Sequence, residues 1–424
     1  MFSSLAKCVG CGAQYPLGVL YTCETCGNIL DIQYDYEQVA RVVATKGLVD
    51  RTGRGIWRYR PLLPVHESTN VVSLGEGGTE LLQCDRLASE LGLDGLFIKD
   101  ETREPTGSFK DRPIAVATTK ALEFGVDTVV TSSSGNAGAA VAAYAAKAGL
   151  RCVVVVPSTT STGKLTQMVM CGAEVISVDG SSSDAFRFAQ SAAKERGWLN
   201  ISTTFLNPYP IEGNKTVAYE MAEQLGWRVP DWVIVPIGAG PLLVGIFKGF
   251  EELNRFGLVF GLPRMVGVQA EGCAPIFRAF EENRSVVEEW TSRPATIAGG
   301  IADPLVGYRN DGTYTLRTIR RSGGLALAVS DEEIMEAAVC VGKTEGLFVE
   351  PTAAAAIAGA KRLIDSSRIQ KTQTMVCLVT GHGLKDTSAF SRCLPTIPTF
   401  AATEDGLREA LSHLPGAENK SSPS

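Results

Sequence analysis

From residue 95 onward, short runs of β-branched and aliphatic residues alternate with longer stretches of helical periodicity. The strand candidates are 96–99, 128–131, 152–156, 174–178, 198–201, 233–237, 264–269, 325–329 and 375–379. Between most of them, 114–124, 137–147, 183–196, 213–225 and 241–254 predict helices. Runs that are apolar at every position, not at every second one, mark strands covered on both faces. The alternation therefore predicts an α/β protein with parallel or mostly parallel sheets flanked by helices. Before this body, 35–50 and 85–91 predict two short helices, with a loop at 51–55.

At 424 residues the chain is long enough for two or three domains with sizeable cores. Hydrophobic residues make up 45% and charged residues 20%, as in soluble globular proteins. A net charge of −6 gives no bulk attraction to nucleic acid or to an anionic membrane, so neither is expected as a partner. The first residues lack the apolar core of a signal peptide. The most apolar stretch, 137–150, carries Lys147 and is too short to span a bilayer. A soluble, cytoplasmic protein is expected.

Eleven cysteines divide into two groups. Seven are scattered, several inside apolar runs such as Cys152 and Cys377, where thiols act as small hydrophobes. Cys8, Cys11, Cys23 and Cys26 instead form two CxxC pairs separated by eleven residues. That spacing can place four thiolates at the corners of a tetrahedron, the arrangement Zn²⁺ prefers. Four sulfur ligands leave no open position for chemistry, so a structural ion is expected, standing in for a core that some thirty residues cannot build.

Three turns carry candidate chemistry. Thr106-Gly107-Ser108-Phe109-Lys110-Asp111-Arg112 places a lysine between a predicted strand and a predicted helix. Most lysines are solvated surface groups. An ammonium near a helix N-terminus, however, is disposed to lose its proton and to form a Schiff base. Ser133, Ser134, Gly135, Asn136 and Ala137 join a strand to a helix, where free backbone N–H groups can hold a carboxylate. Gly238, Ala239, Gly240, Pro241 and Leu242 follow another strand, and their small side chains allow backbone donors to approach a phosphate. A dinucleotide fingerprint would need a third glycine that this turn lacks.

The lysine turn resembles that of fold-type-II pyridoxal-phosphate enzymes, and within them of threonine synthases. The stretch 131–140, Glu345-Gly346-Leu347-Phe348-Val349-Glu350-Pro351 and Thr380-Gly381-His382-Gly383 are similar to further motifs of that family, in the family's order over roughly residues 57–390. The resemblance implies two α/β domains around a central cleft: a large one from 35–100 and 206–414, and a small mobile one from 101–205. A zinc-ribbon-like segment, 1–34, precedes them, and a disordered tail, 415–424, follows. It implies pyridoxal 5′-phosphate held covalently by Lys110, its ring hydroxyl met by Asn136, its phosphate by residues 238–242 and its pyridine nitrogen by Thr380. Ser133, Ser134, Gly135 and Ala137 would bind the substrate carboxylate. It also implies a homodimer.

The activity implied is release of phosphate from O-phosphohomoserine with addition of water to give threonine. One stretch departs from the family pattern. Threonine synthases carry an Asn-Ser pair before a shared Asn-Pro and an arginine after it, where this chain has Thr204, Phe205 and Pro210. Phenylalanine and proline cannot donate to a phosphate. Arg112, Lys164 and Lys215 are candidates to compensate. β-Elimination or β-replacement on a serine-, threonine- or phosphoserine-like amino acid therefore stands beside the first activity, and a non-catalytic interaction protein built on the zinc ribbon is the rival from another class.

Overall fold

The computed structural model describes residues 2–50, 52–366 and 368–414; the expected tail, 415–424, lies outside them. Met375–Val379 is buried along its whole length, and its register places Leu96–Asp100 on one side and Trp232–Pro236 on the other, both parallel to it. Arg264–Ala270 and Leu325–Val329 extend this sheet in parallel, and Leu81–Gln83 closes the far edge antiparallel. Leu81–Gln83 carries no apolar run, so periodicity gave no sign of it. A second sheet is parallel throughout, in the order Glu174–Val178, Arg151–Pro157, Thr128–Ser132, Leu199–Asn200.

Both faces of each sheet are covered, as continuous apolar strands require. In the larger sheet Val233, Val235 and Leu378 join a core with Leu243, Phe247 and Leu316 of helices Pro241–Arg255 and Arg309–Arg321. On the other face helix Pro351–Asp365 packs so closely that a side chain at Gly359 would meet Val268 at 2.5 Å. In the smaller sheet Val130, Val153 and Val155 pack on Ala185, Ala189 and Ala193 of helix Ser182–Arg196. Val129, Val154 and Val156 face helices Asp111–Glu123 and Asn136–Ala148.

One expected helix is divided. The stretch predicted at 213–225 is two helices, Tyr209–Asn214 and Thr216–Gln224, meeting at Lys215. Gly213 lies against the Arg112 backbone, where any side chain would collide, and Thr216 Oγ1 donates to Gly213 O at 2.6 Å. The N-terminal residues form a three-stranded antiparallel sheet, Gln14–Tyr15, Ser3–Cys8, Leu30–Tyr34. Met1–Asp386 is one compact unit containing all three sheets. From Thr387 onward the described residues belong to a second unit with one α-helix, Glu404–Ser412, capped by Thr403.

Buried charge in the first unit carries a testable cost. Asp311 accepts one hydrogen bond, from Phe205 N–H at 2.9 Å. Burial raises its carboxyl to about 7, against the pull of that bond. A raised carboxyl pKa means the fold binds the extra proton, so stability falls as pH rises from the ordinary carboxylate value through 7. Asp311→Asn keeps an acceptor and removes the charge. Thermal unfolding at pH 8 is expected to show a gain of about 1–2 kcal/mol. The gain should shrink toward pH 4.

Candidate active site

The three turns meet because parallel strands deliver them to one edge. Leu378 pairs with Lys99 and Val379 with Asp100, so the chains leaving both strands run side by side. Phe109 N–H donates to Thr380 O at 3.0 Å, His382 N–H to Gly107 O at 2.9 Å, and Glu350 N–H to Gly381 O at 3.0 Å. The first two of these bonds join motifs more than 200 residues apart. Trp232–Pro236 delivers residues 238–242 to the same edge, and Thr128–Ser132 delivers 133–137 from the other sheet. Ligands in open α/β sheets bind at this carboxyl end of the strands.

Between them lies a cleft of about 630 Å³, lined by Lys110, Asn136, Gly238, Glu350 and Thr380 among others. Lys110 immediately precedes helix Asp111–Glu123, whose first residue is buried and receives Thr106 N–H at 2.7 Å and Thr106 Oγ1 at 2.8 Å. Gly107, at φ +83°, lets this turn close. Lys110 Nζ donates to Thr203 Oγ1 at 2.9 Å. The side chain stays partly exposed because it opens into the cleft, yet the walls remove most of its water. Burial lowers its pKa to about 8, against Asp303 and Glu350, which raise it. About a tenth of the amine is then neutral at pH 7, against about one part in three thousand at the ordinary lysine value.

Ser133, Ser134, Gly135, Asn136 and Ala137 line the cleft at the start of helix Asn136–Ala148, whose first N–H groups lack intrahelical acceptors. Asn136 Nδ2 donates to both carboxylate oxygens of Glu350, at 3.0 and 3.1 Å. Burial raises Glu350 to about 6, against that amide and Lys385. In the sequence Glu350 stands only as one letter of a motif, with no role of its own.

At the third turn, Gly240 adopts φ +97° against Thr315, where a side chain would collide. Thr315 Oγ1 donates to Ala239 O at 2.6 Å, which fixes the turn. Asp303 faces Gly238 and accepts from Tyr308 Oη at 2.8 Å and Leu305 N–H at 3.0 Å. Asp303 sits in a loop without periodicity and was not found from sequence. Thr380 Oγ1 is buried and has no hydrogen-bond partner among the described residues.

Of the three cations considered for a substrate phosphate, Lys164 alone lines the cleft, 3.0 Å from Asp386. Arg112 is fully buried among Glu101, Glu104 and Glu220, at 2.6, 3.0 and 2.7 Å. Lys215 is fully buried between Glu212 and Glu252, at 2.7 and 2.9 Å. Neither faces the cleft. Phe205 points into the protein against Tyr314, and Pro210 is buried in helix Tyr209–Asn214, whereas Thr203 and Thr204 line the cleft. His382 lies outside the lining and its Nδ1 accepts from Leu384 N–H at 3.1 Å.

Outside the cleft lining, the four N-terminal cysteine sulfurs lie within 4.8 Å of one another, with Cys8–Cys26 and Cys11–Cys23 at 3.5 Å. A tetrahedron of sulfurs about 2.3 Å from zinc has edges of about 3.8 Å. The donor set fits that ion.

A lysine turn, a helix N-terminus, a glycine turn and an unpartnered Thr380 hydroxyl gather around one cleft of a fold-type-II α/β enzyme. The chain belongs to the pyridoxal-phosphate dependent enzyme family, whose model matches residues 72–381. It is 43% identical to the threonine synthase of Methanocaldococcus jannaschii, over 92% of this chain and 94% of that protein. It is 39% identical to that of Methanosarcina acetivorans, over 96% and 98%. Among solved structures it resembles the threonine deaminase of T.th., with a TM-score of 0.61 and 28% identity over 72% of this chain and 92% of that one. Maize serine racemase shares the fold at a TM-score of 0.62 and 23% identity, over 74% and 91%.

Proposed function

We propose that this protein catalyses elimination and addition on an amino acid in the manner of threonine synthase, releasing phosphate from O-phosphohomoserine and adding water at Cβ. The observation that carries the reading is Lys110, a lysine with its pKa lowered to about 8, facing the same cleft as an unpartnered Thr380 hydroxyl. The residues fit pyridoxal phosphate. Lys110 would hold it, Thr380 would give its free hydroxyl to the pyridine nitrogen, Asn136 would meet the ring hydroxyl, and residues 238–242 would cradle the phosphate. Pro241, lacking an N–H, contributes one donor fewer to that cradle. When bound, the cofactor supplies the electron sink for the bonds broken at the substrate.

The chain's own groups do the rest. The helix start at 133–137 binds the α-carboxylate and orients the substrate. Lys110 would move protons at the substrate carbons, and its lowered pKa suits it to both taking and giving them near neutrality. A neutral hydroxyl at Thr380 would not hold the cofactor's pyridine nitrogen protonated, which would favour elimination and replacement over transamination.

A second reading is favoured by one observation. With Arg112, Lys215, Phe205 and Pro210 turned away, Lys164 and Lys385 are the cations, other than Lys110, lining the cleft among the described residues. β-Elimination or β-replacement on a serine- or threonine-like amino acid needs no phosphate site, whereas a phosphoserine-like one would still call on Lys164 or Lys385. Inorganic phosphate and ammonia release, measured on a panel of these amino acids, separates the two. Phosphate with threonine from O-phosphohomoserine supports the first; ammonia and a 2-oxo acid without phosphate excludes it.

We propose also that Cys8, Cys11, Cys23 and Cys26 hold one structural Zn²⁺. Metal analysis is expected to find about one zinc per chain, and chelation to lower the unfolding midpoint. Metal-free protein with an unchanged midpoint would remove the idea.

A further inference from the structure

The loop between the two cysteine pairs does more than connect them. Asn200 N–H donates to Tyr21 Oη at 2.8 Å. Gly18 N–H donates to Tyr209 Oη at 3.0 Å, and Tyr209 Oη donates back to Gly18 O at 2.9 Å. Both contacts fall on residues 200–209, the stretch that carries Thr203 and Thr204 into the cleft. Nearly 180 residues separate Tyr21 from Asn200, so this is a tertiary device and not a local turn.

Within the stretch, Asn200 ties Ser202 and Asn207 together. Its Oδ1 accepts Ser202 N–H at 2.9 Å and Ser202 Oγ at 2.7 Å, and its carbonyl accepts Asn207 Nδ2 at 2.9 Å. Asn207 Oδ1 in turn accepts Tyr209 N–H at 3.1 Å. The next residue after Ser202 is Thr203, the acceptor of the Lys110 amine at 2.9 Å. An unbroken path of hydrogen bonds and peptide units thus runs from Tyr21 to Lys110. Asn200 is buried, at 1% exposure, so its N–H has no water to turn to if the Tyr21 hydroxyl is lost. At its other end the loop is closed by the sulfur cluster, with Tyr15 Oη 3.2 Å from Cys23 Sγ and accepting Thr25 N–H at 3.3 Å.

We propose that Tyr21, supported by the Gly18–Tyr209 pair, is a positioning residue: the cysteine-held loop fixes the outer side of residues 200–209 so that Thr203 and Thr204 keep their place against the substrate. The kinetic consequence rests on the function proposed above; the structural coupling does not. The N-terminal sheet is thereby part of the substrate site's scaffold, although none of its residues lines the cleft.

Tyr21→Phe and Tyr209→Phe each remove one hydroxyl and keep the ring. In the holoenzyme, amide exchange over residues 200–206 is expected to quicken about tenfold in Tyr21→Phe, with KM for the amino acid rising about tenfold and kcat within about twofold, the split that marks lost ground-state positioning. Tyr209→Phe is expected to do the same more weakly, and reads the coupling if Tyr21→Phe does not fold. Cofactor affinity and absorption should match the wild type in both. Unchanged exchange and unchanged KM would overturn the proposal. So would a fall in kcat, cofactor affinity and unfolding midpoint together, which marks general loosening. If the wild type turns over none of the amino acids, the proposed function fails, and the exchange measurement alone decides this inference.

Discussion

Replacing Lys110 by alanine is expected to leave a folded protein that turns over no amino acid. Proton transfer by a positioned base contributes about 10²–10⁴-fold on its own, and here the same amine also anchors the cofactor. The fall in kcat should therefore exceed about 10³-fold. The fold has little reason to suffer, since the side chain makes one hydrogen bond, to Thr203, and the helix behind it is held by Asp111 and Thr106. Lys110→Arg should be equally inactive, because a guanidinium stays charged and is no nucleophile. Borohydride reduction followed by peptide mass analysis is expected to find the cofactor fixed at Lys110 in the wild type and nowhere in the variants. Turnover within about tenfold of wild type in Lys110→Ala would end the assignment.

Arg112→Met is expected to give the largest loss of stability. The guanidinium is fully buried, with Glu101 at 2.6 Å, Glu104 at 3.0 Å and Glu220 at 2.7 Å. Lys99, also fully buried, pairs with Glu220 at 2.8 Å and donates besides to Thr79 O and Gln224 Oε1, at 2.7 and 3.0 Å. Burial opposes ionisation of Glu220, yet Arg112 and Lys99 outweigh it and hold that carboxyl far below the ordinary range. For Glu104 burial wins over Arg112 and pushes the carboxyl well up. Removing the shared cation leaves buried carboxylates uncompensated, at a cost of about 3–5 kcal/mol. That is a large part of the total stability of a typical domain, about 5–15 kcal/mol.

The pH dependence distinguishes this cause from a simple cavity. In the wild type the lowered Glu220 contributes stability above the ordinary carboxylate pKa, and loses it as pH falls. In Arg112→Met the stranded carboxylates have raised values, so the deficit should shrink as pH falls from 8 to 5 and they take up protons. Denaturant unfolding of the holoprotein at both pH values reads the difference. A deficit under about 1 kcal/mol at pH 8 would show that the carboxylates do not need the guanidinium.

Much of the architecture is legible in the sequence. Strands at 174–178, 325–329 and 375–379 fall where the sequence pattern placed them, because a run of apolar and β-branched residues is a local property of the chain. The lysine turn, the start of the helix at Asn136 and the glycine cup were legible for the same reason: each is set by a few consecutive residues whose backbone needs only small or capping side chains. The helix expected at 213–225 breaks at Lys215 through a contact between Gly213 and Arg112, a hundred residues away, which no local pattern records.

The residues that were ambiguous in sequence were the charged ones. Arg112, Lys164 and Lys215 are equivalent as letters, yet two are neutralised in buried cages and one opens into the cleft. Glu350 and Asp303 gained their places the same way. A charge takes its meaning from the dielectric and partners around it, and both are set by packing. The sequence by itself determined most strands of the two larger sheets and where the small-residue turns fall, since these follow from hydrophobic period and backbone sterics over a few residues. Only the tertiary structure decided which cations face the cleft, how far the Lys110 amine is pulled toward neutrality, and that Tyr21 grips the stretch bearing Thr203, because burial and distance exist only once the chain has folded.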